Sequence, residues 1–98
     1  MLNNKSVFNV SLPVTFLREG KYYVAYSPAI DMSTSAETFE KVKSRFDEVV
    51  QIFFEELLEK GTLEAVLSSL GWQREQKTWL PPQVIAHESQ NFRYNFAS

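Results

Sequence analysis

The sequence contains no cysteine, which excludes a disulfide framework, a thiolate nucleophile and a thiolate metal site. Its single histidine, His87, has no identifiable nucleophile or orienting acid except Glu88, whose side chain would point the other way on a strand. We therefore interpret His87 as a surface or partner-contact residue rather than a general base. No run of about 20 apolar residues and no apolar run of signal-peptide length are present, so we expect a cytoplasmic protein.

The sequence also lacks a large excess of acidic or of basic residues. Ten basic and twelve acidic residues are mixed along the chain and give a net charge of −2, without the basic face of a typical nucleic-acid-binding protein. Apolar residues make up 44% of the sequence and aromatic residues 14%. In a chain of 98 residues this composition predicts one folded domain over 1–98, with 73–98 as an extended C-terminal tail.

The longest element is predicted at 38–60, which contains neither glycine nor proline. Thr38 is a candidate N-cap, with Ser35 as the competing candidate, and Gly61 ends the helix. The helix has one apolar stripe at helical spacing, formed by Phe39, Val42, Phe46, Val49, Val50, Phe53 and Leu57. Three further apolar residues lie off this stripe, and they predict a second apolar surface: Ile52, Phe54 and Leu58.

Strands are predicted on both sides of this helix. Residues 7–17 and 22–27 alternate with a period of two and form a hairpin, and 30–35 is a weaker third strand. In the second strand we expect Tyr22 and Tyr26 to face the helix and Tyr23 to point outward. A short helix at 62–70 follows. The segment 72–79 is either strand or loop, and the late segments 84–86 and 92–96 are strand-like. The order β-β-β-α-α-β predicts an α+β fold, an antiparallel meander followed by a long and a short helix.

Short motifs between residues 19 and 60 match a known family pattern. Gly20, Tyr23, Ala25, Pro28 and Ile30 fit its hairpin motif, and the acidic and threonine positions before the long helix fit it loosely. On these residues the chain resembles the HicB family, the antitoxin half of HicA–HicB toxin–antitoxin pairs. The resemblance implies a partial ribonuclease-H-like fold and direct binding to a small HicA-type ribonuclease toxin.

The sequence also departs from the HicB pattern. Asp31-Met32 stands where the family usually has Gly-Cys, and Ala36 replaces a glycine. The C-terminal segment is broken by Pro81-Pro82 and aromatic, unlike the helical DNA-binding extension of many members, so we do not expect direct operator binding.

We predict no enzymatic activity and no catalytic, metal or cofactor site. Two-metal nuclease chemistry needs several converging carboxylates, yet residues 7–17 contain no acid. Only Asp31 and Glu37 flank the third strand, and no histidine or further acid is placed to join them.

Binding is therefore the predicted activity, and two sets of residues are candidates for it. For a toxin partner, the candidates are hairpin, third-strand and helix residues: Tyr23, Asp31, Ser33, Glu48, Glu55 and Glu59. For a homo-oligomer, the candidates are the surplus apolar residues of the helix and the aromatic tail: Ile52, Phe54, Leu58, Phe92, Tyr94 and Phe96. The alternative function is a stand-alone homo-oligomeric module of unknown ligand without a toxin partner.

Overall fold

The computed structural model describes residues 9–97 and confirms the α+β architecture. Within these residues, five strands and two helices follow one another. They are β1 (Thr15–Glu19), β2 (Tyr22–Ser27), β3 (Met32–Ala36), α1 (Phe39–Lys60), α2 (Leu63–Ser69), β4 (Gln73–Glu75) and β5 (Thr78–Leu80).

The first three strands form an antiparallel meander in the order β1-β2-β3. Gly20 turns the β1–β2 hairpin with a φ of 60°, a left-handed conformation that suits glycine. Asp31 has a φ of 53° just before β3, which aspartate tolerates better than most residues. Both outer strands, β1 and β3, are left with one open edge within the described residues.

The helix α1 lies across one face of this sheet and contacts β2 and β3. Its start is fixed by Thr38, whose Oγ1 accepts a hydrogen bond of 3.1 Å from the Lys41 backbone N–H. Its end is fixed by Gly61 in the left-handed region, with the Gly61 N–H bonded to carbonyls of the last turn. The predicted helix and its Thr38 cap are therefore confirmed.

The core lies between the sheet and α1, and α2 and Trp72 close its far end. Val42, Phe46 and Leu57 of the predicted stripe are buried there. The Trp72 indole N–H donates a hydrogen bond of 2.8 Å to the Ala29 carbonyl, which ties the end of α2 to the β2–β3 turn. Trp72 and Phe54 also make an edge-to-face contact with ring centroids 6.1 Å apart.

The first strand differs from the prediction. The paired strand covers Thr15–Glu19 rather than 7–17, because only one residue of β2, Ser27, extends beyond the Thr15–Tyr26 pair. Residues 9–14 carry no assigned secondary structure, although Val10, Leu12 and Val14 still pack against the core. Residues 7 and 8 of the predicted strand lie outside the described part of the chain.

The two late strands form in only the first of the three predicted segments. Residues 72–79, predicted as either strand or loop, lie in the β4–β5 hairpin. The strand-like segments 84–86 and 92–96 form no strand, because no neighbouring strand in the described residues pairs with them. From residue 83 to 97 the chain is exposed throughout, and we call this segment the tail. None of the described helices is long and apolar enough to cross a membrane.

Candidate partner-binding surfaces

The tyrosines of β2 point to the opposite faces of the sheet from those predicted. Tyr23 faces α1, where it is half-buried and its ring lies 6.3 Å from that of Phe39, and Ala25 beside it is fully buried. Tyr22 and Tyr26 lie on the outer face. The expectation of an outward Tyr23 was therefore wrong, because small Ala25 and Ser27 share its face and let the helix approach closely.

The outer face of the sheet is not covered by any described element. It presents Leu17 and Tyr22, which are 47% and 42% exposed, together with half-buried Val24 and Tyr26. Cross-strand register places Ser33 beside Tyr26 on this face, so Ser33 is exposed as expected. Alternation with a period of two could not say which face the helix covers, because both faces of β2 carry tyrosine.

A polar corner joins this face at the start of β3. The Tyr26 hydroxyl donates a hydrogen bond of 3.2 Å to Asp31 Oδ1, and Asp31 itself is exposed. Partial burial raises the pKa of the Tyr26 phenol, and the hydrogen bond to Asp31 and the negative charge of that carboxylate add to the effect. Asp31 and Ser33 are thus brought together, while Tyr23 lies on the other side of the sheet.

The acids predicted on α1 form one line along the helix. Glu48, Ile52, Glu55 and Glu59 are spaced by four, three and four residues, which places them on one face of a helix, and all four are exposed. We call this set the acidic stripe. Among the described residues two ion pairs are present, Lys60–Glu56 and Arg74–Glu64, and neither involves the acidic stripe. The stripe therefore carries uncompensated negative charge around one exposed isoleucine.

The acidic stripe and the Asp31–Ser33 corner lie on opposite sides of the two-layer fold. The stripe is on the face of α1 turned away from the buried Val42 and Phe46, whereas Ser33 is on the sheet face turned away from α1. A small rigid partner cannot contact both. The predicted toxin-binding residues are thus divided between two surfaces.

The predicted apolar surplus of α1 is smaller than expected. Ile52 and Leu58 are 57% and 54% exposed, but Phe54 is only 7% exposed. The placement of Phe54 on an outer surface was wrong, because Trp72 from beyond α2 covers its ring. That contact depends on the chain folding back after Gly71, which helical periodicity cannot reveal.

A shallow groove that the sequence did not predict runs along the side of α1. At one end it has a volume of about 470 Å³, and its apolar lining comes from Val10, Val50, Phe54 and Leu58. Asp47 and Glu55 stand among the polar residues of the same groove. It continues past Leu12 and Val14 towards Phe16. The sequence feature that indicates this groove is the alternation of apolar and polar residues over 9–14. It places the apolar side of the segment next to the helix.

The aromatic residues of the tail remain exposed. Phe92, Tyr94 and Phe96 are 72%, 73% and 87% exposed, and His87 is exposed as well. Within residues 9–97 no group of three or more His, Asp or Glu residues is close enough to hold a metal ion. The oligomer role of the tail and of Ile52 and Leu58 stays a prediction.

Comparison with known proteins adds no relative to this picture. No protein-family model, no curated protein and no solved structure matches the chain.

Proposed function

We propose that this protein is a HicB-like antitoxin-type binding protein, which neutralises a small HicA-type ribonuclease toxin in the cytoplasm by covering its RNA-binding surface. The observation that carries the proposal is the acidic stripe, in which Glu48, Glu55 and Glu59 surround the exposed Ile52 without a basic partner among the described residues. The family resemblance of residues 19–60 supplies the identity of the partner. The antitoxin would block the toxin sterically and would catalyse no reaction.

The stripe has the features of a binding surface for a basic partner. Uncompensated acids on one face attract and orient a positively charged surface, and they affect the association rate more than the final affinity. An RNA-binding face is basic because it must contact phosphates. Ile52 adds an apolar contact at the centre of the stripe, where burial from water stabilises a complex most.

Co-expression with a toxin tests the proposal. The partner to test is the product of an adjacent reading frame that encodes a short, basic, histidine-containing protein. We expect the wild-type chain to restore growth of cells that express this protein and to co-purify with it. The triple charge reversal Glu48→Lys, Glu55→Lys and Glu59→Lys should abolish both effects.

A matched reversal controls for net charge. Glu19, Glu75 and Glu88 are exposed acids outside the stripe and outside both ion pairs, so changing all three to lysine alters the total charge equally. This variant should still rescue growth. If both triple variants lose rescue alike, or if Asp31→Lys alone abolishes it, the stripe is not the toxin-binding surface. If the wild-type chain neither rescues growth nor co-purifies, the antitoxin function is refuted.

The alternative function, a stand-alone homo-oligomeric module, is favoured by a different observation. The aromatic side chains of the tail are too exposed to act as core of their own subunit, with Phe96 at 87%. Two results would favour this alternative over the antitoxin. Pull-downs with the chain would recover only the chain itself, and light scattering would show a stable oligomer.

A further inference from the structure

Residues 9–14 have the sequence of a strand, but no strand lies beside them among the described residues. They continue β1 past the end of β2, and half-buried Val10, Leu12 and Val14 alternate with exposed Asn9 and Ser11. Their backbone groups make no hydrogen bond to the backbone of another described residue. Such a segment is an open edge that can accept a further strand.

The tail has the complementary properties. Ile85, Phe92, Tyr94 and Phe96 are at least 72% exposed, and the last three alternate with Arg93 and Asn95 as they would on a strand. The backbone of residues 83–97 also makes no hydrogen bond to the backbone of a described residue. The described molecule measures 67 × 31 × 24 Å, which shows that the chain is far longer in one direction than a compact domain of this size.

The groove along α1 lies on the helix side of residues 9–14. Val10 lines its larger end with Val50, Phe54 and Leu58, and Leu12 and Val14 line its continuation. In a strand paired with residues 9–14, every second side chain would point to the helix side. The alternating aromatic residues of the tail fit this requirement, because Val10, Leu12, Val14 and Val50 give the groove an apolar side, with Asp47 at its rim.

We propose that two copies of this chain exchange their tails, so that residues 92–96 of each copy pair as a strand with residues 10–14 of the other. Phe92, Tyr94 and Phe96 then occupy the groove beside α1 of the other copy. Each five-residue segment supplies a ladder of ordinary strand length, although Pro13 withholds one backbone donor, as edge strands tolerate. This inference goes beyond the antitoxin function and does not depend on a toxin.

A second copy is the occupant that the geometry favours. Every chain carries both the exposed tail and the open groove, so reciprocal exchange between two chains satisfies all four segments in a closed, symmetric dimer. The two prolines at 81–82 stiffen the start of the tail, and Pro82 packs near Gly71 at the α2 end of the fold. Residues 83–97 can extend by roughly 50 Å, which is enough to reach across a neighbouring domain.

The mass of the purified chain in solution gives the first test. We expect the wild type to have twice the mass of the monomer by light scattering coupled to size-exclusion chromatography. The variant Phe92→Ser, Tyr94→Ser and Phe96→Ser should raise the dimer dissociation constant at least roughly tenfold. The control Arg93→Ser and Asn95→Ser alters the other side of the same segment and should leave the dimer intact. All five residues are exposed, so neither variant should disturb the folded domain.

Cross-linking locates the contact, since the chain has no native cysteine. One preparation carries Leu12→Cys and another carries Tyr94→Cys, the central positions of the two segments. After mixing and mild oxidation, we expect a disulfide-linked dimer containing one chain of each kind. Replacing Tyr94→Cys by Glu75→Cys, an exposed position in β4, should give little of this product.

Several results would overturn the exchange. They are a monomeric wild type, a dimer that survives the triple serine variant unchanged, or equal cross-linking from Glu75→Cys. In a chain that carries both Leu12→Cys and Tyr94→Cys, a disulfide within one monomer would show instead that the tail folds back on its own subunit. Because these experiments use the chain alone, their failure leaves the toxin-binding proposal unaffected.

Discussion

Trp72 is the residue that joins the two ends of the described core. Its indole N–H donates to the Ala29 carbonyl over 2.8 Å, and Ala29 is fully buried. Its ring also covers Phe54 of α1. One side chain therefore connects the β2–β3 turn, the long helix and the segment after α2.

Replacing Trp72 by phenylalanine should destabilise the fold by about 2 kcal/mol, because the buried Ala29 carbonyl loses its donor and a small cavity forms. Urea unfolding followed by circular dichroism measures the change. Trp79→Phe is the matched control, since Trp79 is half-buried, its ring lies near Arg74, and its indole N–H makes no hydrogen bond to another described residue. Its cost should stay below about 1 kcal/mol. Equal costs for the two variants would show that the hydrogen bond does not matter.

The Tyr26–Asp31 pair makes a prediction about pH. The pKa of the Tyr26 phenol is raised in the folded state, so its neutral form stabilises the fold below the unfolded-state pKa of about 10. This contribution is lost as the pH rises through the higher folded-state pKa. Asp31→Asn removes the carboxylate and should lower the Tyr26 pKa towards its ordinary value.

Ultraviolet titration of the phenolate measures this shift, and Tyr26→Phe identifies the transition that belongs to Tyr26. A Tyr26 titration that is the same in the wild type and in Asp31→Asn would contradict the role assigned to the Asp31 carboxylate, which lies 3.2 Å from the Tyr26 hydroxyl.

At the scale of elements, the start of α1 depends on a single side-chain cap. Thr38→Ala should cost about 1 kcal/mol, because the Lys41 N–H loses its acceptor. Thr62 precedes α2 in the same way, but its side chain makes no capping hydrogen bond. Thr62→Ala should therefore cost clearly less. Midpoints of urea unfolding with unchanged slopes measure both effects, and a reversed order of the two costs would refute the assignment.

The elements that the sequence predicted well are those that local interactions determine. Helix α1 could be predicted because its stripe, its Thr38 cap and Gly61 all lie within the segment itself. The extent of β1 could not be predicted, because it depends on where β2 ends. The orientation of Tyr23 and the burial of Phe54 depend on contacts with distant residues, Phe39 and Trp72 respectively. The three acids of the acidic stripe could be predicted, because helical spacing alone places them on one face of α1.

In the molecule as a whole, the described residues present three candidate binding surfaces, two of which share Glu55. The acidic stripe lies on the outside of α1, the Leu17 and Tyr22 face lies on the outside of the sheet, and the groove lies between residues 9–14 and α1. The stripe and the groove share Glu55, so a toxin on the stripe and an exchanged tail in the groove would meet at this residue. Together, the two proposals describe a dimer with one acidic stripe on each subunit.

Charge complementarity at the stripe also predicts a dependence on salt. The association rate with the toxin should fall as ionic strength rises, because exposed charges are screened beyond a Debye length of about 8 Å at 0.15 M salt. Stopped-flow or surface-based kinetics at several salt concentrations measure this rate. A rate that does not change with salt would contradict an electrostatic contact.

Titration of the purified chain with the purified toxin is the decisive measurement of whether the two proteins bind. Isothermal titration calorimetry should show a saturable complex for the wild type and for the Glu19, Glu75 and Glu88 reversal, and no measurable complex for the Glu48, Glu55 and Glu59 reversal. No heat of binding from the wild-type chain, under conditions where both proteins are folded, would contradict the claim that this protein acts by binding such a toxin.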